Sequence, residues 1–345
     1  MKKRFMSVTL ATVLAASLAL AGCGSSDSSK ESTATEAVET ESAETEVAET
    51  EATETEAAET EAAAVEELEP VAIDKDAYDT LIAAGNVASD DVIAASEWAT
   101  SIKEAGVLRV GGVRTSQLFS QLDETDNVTR GFDAGLYQLL ARYILGDENA
   151  VEFTQVDSST RESVLTSDQV DVVFATYSIT DERKELIDFA GPYYTSQQAI
   201  LVTADNTEIT GLDDLAGKVV ATQAGSTGPS ILEEYAPEAT IQEFETDLEA
   251  RTALEQGRVD AYVTDYTLLL NAMVKSSGTY QIAGDVFGPE DSYGIGVQKG
   301  TDSVEFINSF LKAIEDDGTW NELWKITLGD RTGVSDAPAA PAIAE

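Results

Sequence analysis

The sequence contains no histidine and a single cysteine among its 345 residues. Histidine supplies the general base of most catalytic triads and many of the ligands of zinc sites. One cysteine is too few for a disulfide framework. We therefore expect no metal and no other cofactor, and we predict that the protein is not an enzyme. Paired carboxylates of the glycosidase type are the enzymatic alternative that this composition leaves open.

Basic residues are also scarce. Lysine and arginine together number 21, against 64 aspartates and glutamates, and the formal net charge is −43. We expect no nucleic-acid partner, because binding to phosphates requires a basic surface that releases counterions.

The acidic residues are densest between residues 24 and 70, where 16 acids stand against Lys30 alone. This stretch repeats Ser, Thr, Ala and Glu and has no apolar stripe, and its like charges repel one another. We therefore predict an acidic, disordered tether at 23–70. The alternative interpretation is that this stretch is a spacer whose length is not critical.

Long apolar runs are missing after the N-terminus. No later run reaches the roughly 18 to 20 residues that a membrane-spanning helix requires, so the sequence does not predict a polytopic membrane protein. The early run at 5–20 follows three basic residues at 2–4, which is the order found in a secretory signal.

The motif LAGC at 20–23 ends this run and resembles the bacterial lipobox. In that motif the signal is removed before the cysteine, whose thiol then receives a diacylglycerol. The resemblance implies a lipoprotein signal peptide at 1–22 and lipidation of Cys23. It places the protein outside the cytoplasm, anchored to the outer face of the cytoplasmic membrane. A retained transmembrane anchor or an ordinary cleavable signal are the alternatives.

From residue 106 onwards, apolar strands alternate with amphipathic helices, which favours an α/β fold with mostly parallel sheets covered by helices. The order restarts after Phe189, which indicates two lobes. Two helical stretches are expected at 73–105, the second starting near Ser89. Strands are predicted at 107–113, 151–155, 170–175, 199–203, 218–222, 239–244, 260–264 and 293–297. Further helices are predicted at 131–146, near Arg161, from Gly225, at 248–256, from Asp265, and at 303–316 and 319–328. A ligand is expected where the strand ends of the two lobes face each other.

The segment ATYSITDERKELIDFAGPYY at 175–194 carries the first polar motif. Thr176 and Ser178 follow a predicted strand, and Arg183 lies in the helical turn after them. Hydroxyls and amides at such a turn, with the fork of a guanidinium, suit a carboxylate.

Two further motifs lie in the second half of the chain. GSTG at 225–228 follows a strand and opens a helix, so Ser226, Thr227 and the free backbone amides favour an anion. Asp265 follows another strand and offers a carboxylate to a cation. Together the motifs predict a site for a carboxylate and an ammonium group.

The order of these motifs resembles that of family 3 solute-binding proteins, the extracellular lipoproteins of polar amino-acid ABC importers. Their fold is the type II periplasmic-binding-protein fold, with two α/β lobes and a ligand cleft between them. The similarity covers roughly residues 105–329. It rests on GFD at 131–133, the segment at 175–194, DLAGKVVATQAGST at 214–227, GRVDAYVTD at 257–265 and SYGIGVQKG at 292–300.

The resemblance implies roles for single residues. Arg183 binds the α-carboxylate of the ligand with help from Ser178 and Thr227. Asp265 and the region of Thr176 hold the α-ammonium group.

The sequences of these motifs look most like those of family members that bind glutamate or aspartate. In those members, basic residues at the positions of Arg114 and Arg161 bind the side-chain carboxylate of the ligand. A chain this acidic repels a dicarboxylate at long range, so local cations must supply the attraction. The sequence has SQLF at 116–119 where the family commonly has PPF, so aromatic stacking on the ligand is not expected.

The resemblance also implies domain boundaries and partners. Chain crossings between the lobes are expected near 193–197 and 286–292. The expected segments are a helical lead-in at 71–105, lobe 1 at 106–194 and 292–331, lobe 2 at 195–291, and a disordered tail at 332–345. The protein is expected to be a monomer that delivers an acidic amino acid to an ABC permease with a cytoplasmic ATPase. A neutral or other polar amino acid is the alternative ligand. A dehydratase acting on a cyclic acid, or a receptor sensor domain, is the alternative on the same fold.

Overall fold

The computed structural model describes residues 71–276, 278–334 and 337–343. The predicted signal peptide, Cys23 and the acidic tether lie outside these residues. The helices are α1 (Lys75–Ala84), α2 (Asp90–Ala94), α3 (Glu97–Ala105), α4 (Phe132–Leu145), α5 (Arg161–Thr166), α6 (Asp181–Lys184), α7 (Gly228–Tyr235), α8 (Asp247–Glu255), α9 (Tyr266–Lys275), α10 (Ser303–Asp316), α11 (Thr319–Trp324) and α12 (Asp330–Thr332). The strands are β1 (Leu108–Gly112), β2 (Thr115–Ser116), β3 (Ser120–Asp123), β4 (Val128–Arg130), β5 (Val151–Gln155), β6 (Val172–Phe174), β7 (Asp188–Thr203), β8 (Val219–Gln223), β9 (Thr240–Phe244), β10 (Ala261–Asp265), β11 (Tyr280–Ile282) and β12 (Phe287–Val297).

One mixed sheet extends through both lobes in the order β5-β1-β6-β12-β7-β10-β8-β9, and β11 pairs with β7. The strands β5, β1 and β6 are parallel in the first lobe, and β10, β8 and β9 are parallel in the second. The predicted two-lobed α/β fold with mostly parallel sheets and covering helices is therefore confirmed.

The strands β7 and β12 connect the lobes. They are antiparallel to each other, with Val297 opposite Asp188 in the first lobe and Phe287 opposite Gln198 in the second. The two connections between the lobes therefore belong to one hydrogen-bonded ribbon. The predicted crossings and lobe boundaries fall within this ribbon, and the boundaries themselves stay a prediction.

Each lobe has its own apolar core. In the first lobe, α4, α10 and α11 surround an aromatic cluster that includes Phe119, Phe132, Tyr193 and Trp320. In the second lobe, separate clusters cover the two faces of the sheet. Burial of these side chains is the main stabilising contribution in each lobe.

The lead-in packs on the first lobe. Tyr78, Ile82 and Ile102 are buried in its core. The guanidinium of Arg130 binds the carboxylate of Asp79, with nitrogen to oxygen distances of 2.7 and 2.8 Å. Three helices form here instead of the two predicted stretches. The second stretch divides because Ser96 caps a new helix, accepting a hydrogen bond from the amide of Ala99.

Other elements also differ from the sequence-based predictions. Strand β7 begins eleven residues before the predicted start at Ala199, and β12 begins six residues before Tyr293. The short sheet β2-β3-β4 was not predicted. A π-helical turn at Lys325–Gly329 follows α11 within the helix predicted at 319–328.

The C-terminal segment differs from the predicted disordered tail. Ala337, Ala340 and Ile343 pack against the core of the first lobe. Within the described residues, the helices include none with the length and apolar character needed to cross a membrane.

Candidate ligand-binding site

A cavity of about 300 Å³ lies between the two lobes. Its walls include residues at or just after the C-terminal ends of strands, namely Gln155 in β5, Thr176 after β6, Gln223 in β8 and Asp265 in β10. This is where ligands bind in open α/β sheets. The volume lies at the lower end of the range for small-molecule sites.

Six of the eight predicted ligand-binding residues line this cavity, while Arg114 and Arg183 do not. The six are Arg161, Thr176, Ser178, Ser226, Thr227 and Asp265.

Arg161 begins α5 and is 3% exposed. Its Nη1 donates to the carbonyl oxygen of Ala175 at 3.0 Å, and its guanidinium lies 4.1 Å from the centre of the Tyr177 ring. Its Nε is buried without a hydrogen-bond partner. Burial, and next the charge of Arg183, lowers the pKa of Arg161 to about 10. The group therefore stays charged at neutral pH and has one N–H available for an acceptor.

Arg183 lies against the same ring, 5.1 Å from its centre, and is 8% exposed. The cap at Thr180, whose hydroxyl accepts from the Arg183 amide, places it there. Its Nη1 donates to the carbonyl of Ser178 at 2.7 Å, and its Nη2 donates to the carbonyl of Gly225 at 2.9 Å. The Glu162 carboxylate lies 3.4 Å from its Nε. A ligand carboxylate that binds Arg183 must compete with these two carbonyls and with Glu162.

Arg114 lies between two lining residues, Val113 and Thr115, at the end of β1. Its guanidinium is stacked 4.0 Å from the centre of the Phe153 ring, and its Nε is buried without a partner. A cation–π contact of this kind holds the side chain without neutralising its charge.

Thr176 follows β6 with a positive φ of 44°, a conformation that few residues adopt. Its amide donates to the carboxyl of Asp133 at 3.0 Å, and Asp133 also accepts from the Tyr193 hydroxyl at 2.8 Å. Burial raises the pKa of Asp133 to about 7. The Asp133 carboxyl therefore fixes the loop that carries Thr176.

Ser226 and Thr227 precede α7 at the cavity wall. The Ser226 hydroxyl donates to the carbonyl of Gln223 at 2.6 Å and accepts from the amide of Gly228 at 3.1 Å. It thus stabilises the turn that opens this helix toward the cavity.

The opposite charge is supplied by Asp265, which is buried at the end of β10. Its carboxyl accepts from the Tyr293 hydroxyl at 2.5 Å and from the side-chain amide of Gln198. Asp291 lies beside it in β12 and accepts from the Ser178 hydroxyl at 2.9 Å. Burial raises the pKa of both carboxyls, and the charge of Asp265 adds to the rise for Asp291.

Several lining residues were missed by the sequence analysis. The Oε1 atom of Gln198 is buried without a partner, beside Asp265. Asn271, Arg251 and Lys275 come from helices of the second lobe. Gln198 lies within the undetected part of β7, so its position offered no strand-end signal. The other three lie inside helices, where sequence spacing alone does not distinguish a cavity wall from a surface.

Two chemically different sets of charged groups therefore lie at the cavity. The cationic end consists of the guanidiniums of Arg161 and Arg183 at the Tyr177 ring, and the anionic end consists of the carboxyls of Asp265 and Asp291. Ser178 contacts a member of each set, through its carbonyl to Arg183 and its hydroxyl to Asp291. A zwitterion with a carboxylate and an ammonium group matches these ends in charge and in hydrogen bonding. In the described ranges, no group of three or more acidic, cysteine or histidine side chains is arranged to hold a metal ion.

Comparison with known proteins identifies the family of the chain. The chain is 36% identical over 219 residues to the ABC transporter glutamine-binding protein GlnH of Bacillus subtilis, covering 63% of this chain and 79% of the relative. It is 32% identical over 234 residues to the glutamate-binding protein GluB of Corynebacterium efficiens, covering 65% and 79%. The solved structure of the solute receptor for L-cysteine of Neisseria gonorrhoeae superimposes with a TM-score of 0.66 at 29% identity, covering 72% of this chain and 99% of that one.

The family model described as bacterial extracellular solute-binding proteins, family 3, matches residues 108–329, which contain both lobes and every residue of the cavity discussed above. The chain therefore belongs to the bacterial extracellular solute-binding proteins of family 3.

Proposed function

We propose that this chain is the binding component of an ABC importer and captures an acidic amino acid, glutamate or aspartate, between its two lobes. The observation that carries the proposal is the pair of buried guanidiniums of Arg161 and Arg183 on one ring, at a cavity that is also lined by the buried carboxyl of Asp265.

The α-amino and α-carboxylate groups of an amino-acid ligand would provide hydrogen-bond partners for the buried polar atoms of the site that have none in the protein. The buried Nε of Arg161 donates to a ligand carboxylate without giving up an existing bond. The unpartnered Oε1 of Gln198 and the carboxyl of Asp265 accept from the ligand ammonium group. Buried polar atoms are costly without partners, so a zwitterion that satisfies them is bound favourably.

A second carboxylate on the ligand is supported by the number of cations near this head group. The charge of Arg183 repels that of Arg161 and contributes to its lowered pKa, and the Glu162 carboxylate, 3.4 Å from the Nε of Arg183, offsets part of this repulsion. Arg114 supplies a third guanidinium just after β1. Two ligand carboxylates relieve the remaining repulsion between the guanidiniums better than one, and these local cations supply the attraction that must overcome the long-range repulsion of a dicarboxylate by a chain with a net charge of −43.

A neutral, amide-bearing amino acid is the second candidate. Side-chain amides line the cavity from both lobes, and an amide ligand offers a donor and an acceptor to such a wall. These lining amides are Gln117, Gln155, Gln198 and Gln223. One of the relatives reported above is also named as a glutamine-binding protein.

The remaining parts of the proposal follow from the N-terminal motifs and the family. The protein acts outside the cytoplasm as a monomer, is anchored by lipid on Cys23, and delivers its ligand to a membrane permease. It catalyses no reaction, because each lobe contributes polar groups suited to binding and release. Closure of the lobes around the ligand uses both sets of groups at once.

The test is a thermal-shift screen of the purified full-length protein against the twenty amino acids, followed by titration calorimetry. A ligand at about 100 times its Kd adds roughly 2.7 kcal/mol to the free energy of unfolding, which gives a clear shift. Stabilisation by glutamate or aspartate alone supports the proposal. Stabilisation by glutamine alone selects the second candidate, and no response to any amino acid contradicts both.

A further inference from the structure

The two lobes contact each other directly at the cavity. On one side the contact is made by Asn271, which belongs to α9 of the second lobe and is 8% exposed. Its Oδ1 accepts from the backbone amide of Leu118 at 2.7 Å, and its Nδ2 donates to the Ser116 hydroxyl at 2.9 Å. Both partners are buried in the first lobe.

The opposite side is closed by a different set of contacts. Arg183 donates to the carbonyl of Gly225, and the Ser159 hydroxyl donates to the carboxylate of Glu245 at 3.2 Å. The backbones also approach closely here, since a Cβ placed on Gly225 would lie 2.8 Å from the Cα of Ser159.

The bonds of Asn271 depend on the segment that departs from the commoner family pattern. This chain has SQLF at 116–119, and the amide of Leu118 and the hydroxyl of Ser116 are the two groups that Asn271 engages. Proline, which the commoner pattern carries in this stretch, has no backbone N–H to donate. The aromatic residue of the segment, Phe119, is fully buried in the core of the first lobe.

We propose that Asn271 is a positioning residue for ligand capture, whose amide latches the second lobe to residues 116–118 when the cleft closes. The proposal rests on the proposed function, because it concerns closure around the same ligand. Asn271 acts on the lobes and does not select among ligands, so it strengthens the binding of every ligand by the same factor. Both bonds exist only when the lobes meet, and both groups are hydrated when they separate.

The size of the effect follows from the two bonds. Two hydrogen bonds of ordinary net strength together change an equilibrium by roughly 5- to 100-fold. Because apparent affinity scales with the population of the closed, competent form, loss of the latch weakens binding by a factor in this range.

The experiment compares Asn271→Leu with Asn206→Ala in the full-length protein. Asn206 is a matched control, because its Oδ1 also accepts two hydrogen bonds, from Glu208 and Ile209 at 3.1 and 2.9 Å, but both lie within the second lobe. We expect Asn271→Leu to raise the Kd for all bound amino acids by one common factor of roughly tenfold, with faster dissociation. Asn206→Ala should lower the melting temperature and leave every Kd unchanged.

A double-mutant cycle with Ser116→Ala tests the partner. If Asn271 and Ser116 act through their shared hydrogen bond, the two single effects are not additive. The double variant then loses less binding free energy than the sum of the losses in Asn271→Leu and Ser116→Ala. Two outcomes overturn the proposal: unchanged affinities in Asn271→Leu, and a change in the ratio between ligands, which would make Asn271 a ligand contact.

A ligand-free measurement separates this proposal from the proposed function. Cys23→Ser removes the single cysteine, so spin labels can be placed at Glu185→Cys in the first lobe and Glu234→Cys in the second, both of which are exposed. Asn271→Leu should shift the distance distribution toward separated lobes, even if no amino acid binds. An unchanged distribution overturns the latch, whereas failure of the unsubstituted protein to bind any amino acid contradicts only the proposed function.

Discussion

The two ends of the cavity hold their charges in different ways. At the cationic end, Arg161 and Arg183 share the Tyr177 ring, and Arg161 remains protonated at neutral pH even though burial lowers its pKa to about 10. At the anionic end, burial raises the pKa of Asp265, and it raises that of Asp291 to about 7.

The two sets of groups therefore differ in how their attraction for the ligand depends on pH. The cationic end presents a fixed charge, so its attraction for a carboxylate is nearly independent of pH. The anionic end takes up a proton near neutral pH, because the pKa of Asp291 is about 7. Its attraction for an ammonium group therefore varies with pH in this range. The following substitutions test that contrast, in order of decreasing expected effect.

Removing the fixed charge should have the largest effect. Arg161→Met keeps much of the apolar stem but removes the buried guanidinium, which deprives the ligand carboxylate of one of its two charged partners. Losing one partner of a buried charge pair costs about 2 to 5 kcal/mol, so we expect the Kd to rise at least roughly 30-fold. Titration calorimetry measures it.

Arg109→Met is the matched control for Arg161→Met, because Arg109 pairs with Asp168 and Asp171 away from the cavity. It should leave the affinity unchanged. Retained affinity in Arg161→Met would show that the cationic end is not the carboxylate site.

Neutralising the anionic end should have the next largest effect. Asp265→Asn preserves the shape of the side chain but removes the negative charge that faces the ligand ammonium. Hydrogen bonds to charged groups contribute about 1.5 to 3 kcal/mol, so the Kd should rise roughly 10- to 100-fold.

The control for Asp265→Asn is Asp260→Asn. The Asp260 carboxylate accepts from the Val219 amide at 2.7 Å outside the cavity. A Kd that moves equally in both variants, measured by calorimetry at pH 8, would contradict a specific role for Asp265.

The pH dependence sharpens the contrast further. Binding of an ammonium group favours the ionised pair, so affinity should fall as pH drops below about 7, by at most tenfold per pH unit for one proton. The raised pKa of Asp291 also affects the stability of the free protein, and this effect has the opposite dependence on pH. It is present in acid and is lost as pH rises from about 4 through about 7.

Asp291→Asn should flatten the pH profile of affinity measured by calorimetry between pH 5 and 8. Asp133 also has a pKa of about 7, so the difference between the two profiles, and not either profile alone, reports on Asp291. A profile that Asp291→Asn leaves unchanged would assign the pH dependence elsewhere.

The smallest effect is expected from Arg114→Ala. Because Arg114 stacks on Phe153 and does not line the cavity, it acts on the ligand mainly through its charge. Partly screened charge pairs contribute up to about 1 kcal/mol, so glutamate and aspartate should bind up to roughly fivefold more weakly. The affinity for glutamine should not change, and equal weakening of all three ligands would refute a selective role.

Much of the fold was predictable because strands and helices leave periodic patterns. Strand β5 and helix α10 have the predicted bounds. The first part of β7 was missed because Gly191, Pro192 and the polar run TSQQ interrupt the apolar pattern. It forms a strand because β12 pairs with it, and long-range pairing is not visible in a local sequence window.

The site was predictable where a residue follows a strand end, as for Thr176 and Asp265. It was less predictable where a side chain depends on the other lobe. The Arg183 guanidinium donates to Gly225, 42 residues away in the chain, and Asn271 donates to Ser116, 155 residues away. Such contacts arise from the folded arrangement of the lobes and leave no local signal.

The packing of the lead-in makes the two lobes mechanically unequal. Helices α1 to α3 are part of the core of the first lobe, and the carbonyl of Val71 accepts from Arg331 of the same lobe at 3.0 Å. Val71, where the described part of the chain begins, is therefore held by the first lobe, while the second lobe is joined to the first through β7 and β12. A force that reaches the protein through Val71 would act on the first lobe directly and on the second lobe only by way of its contacts with the first.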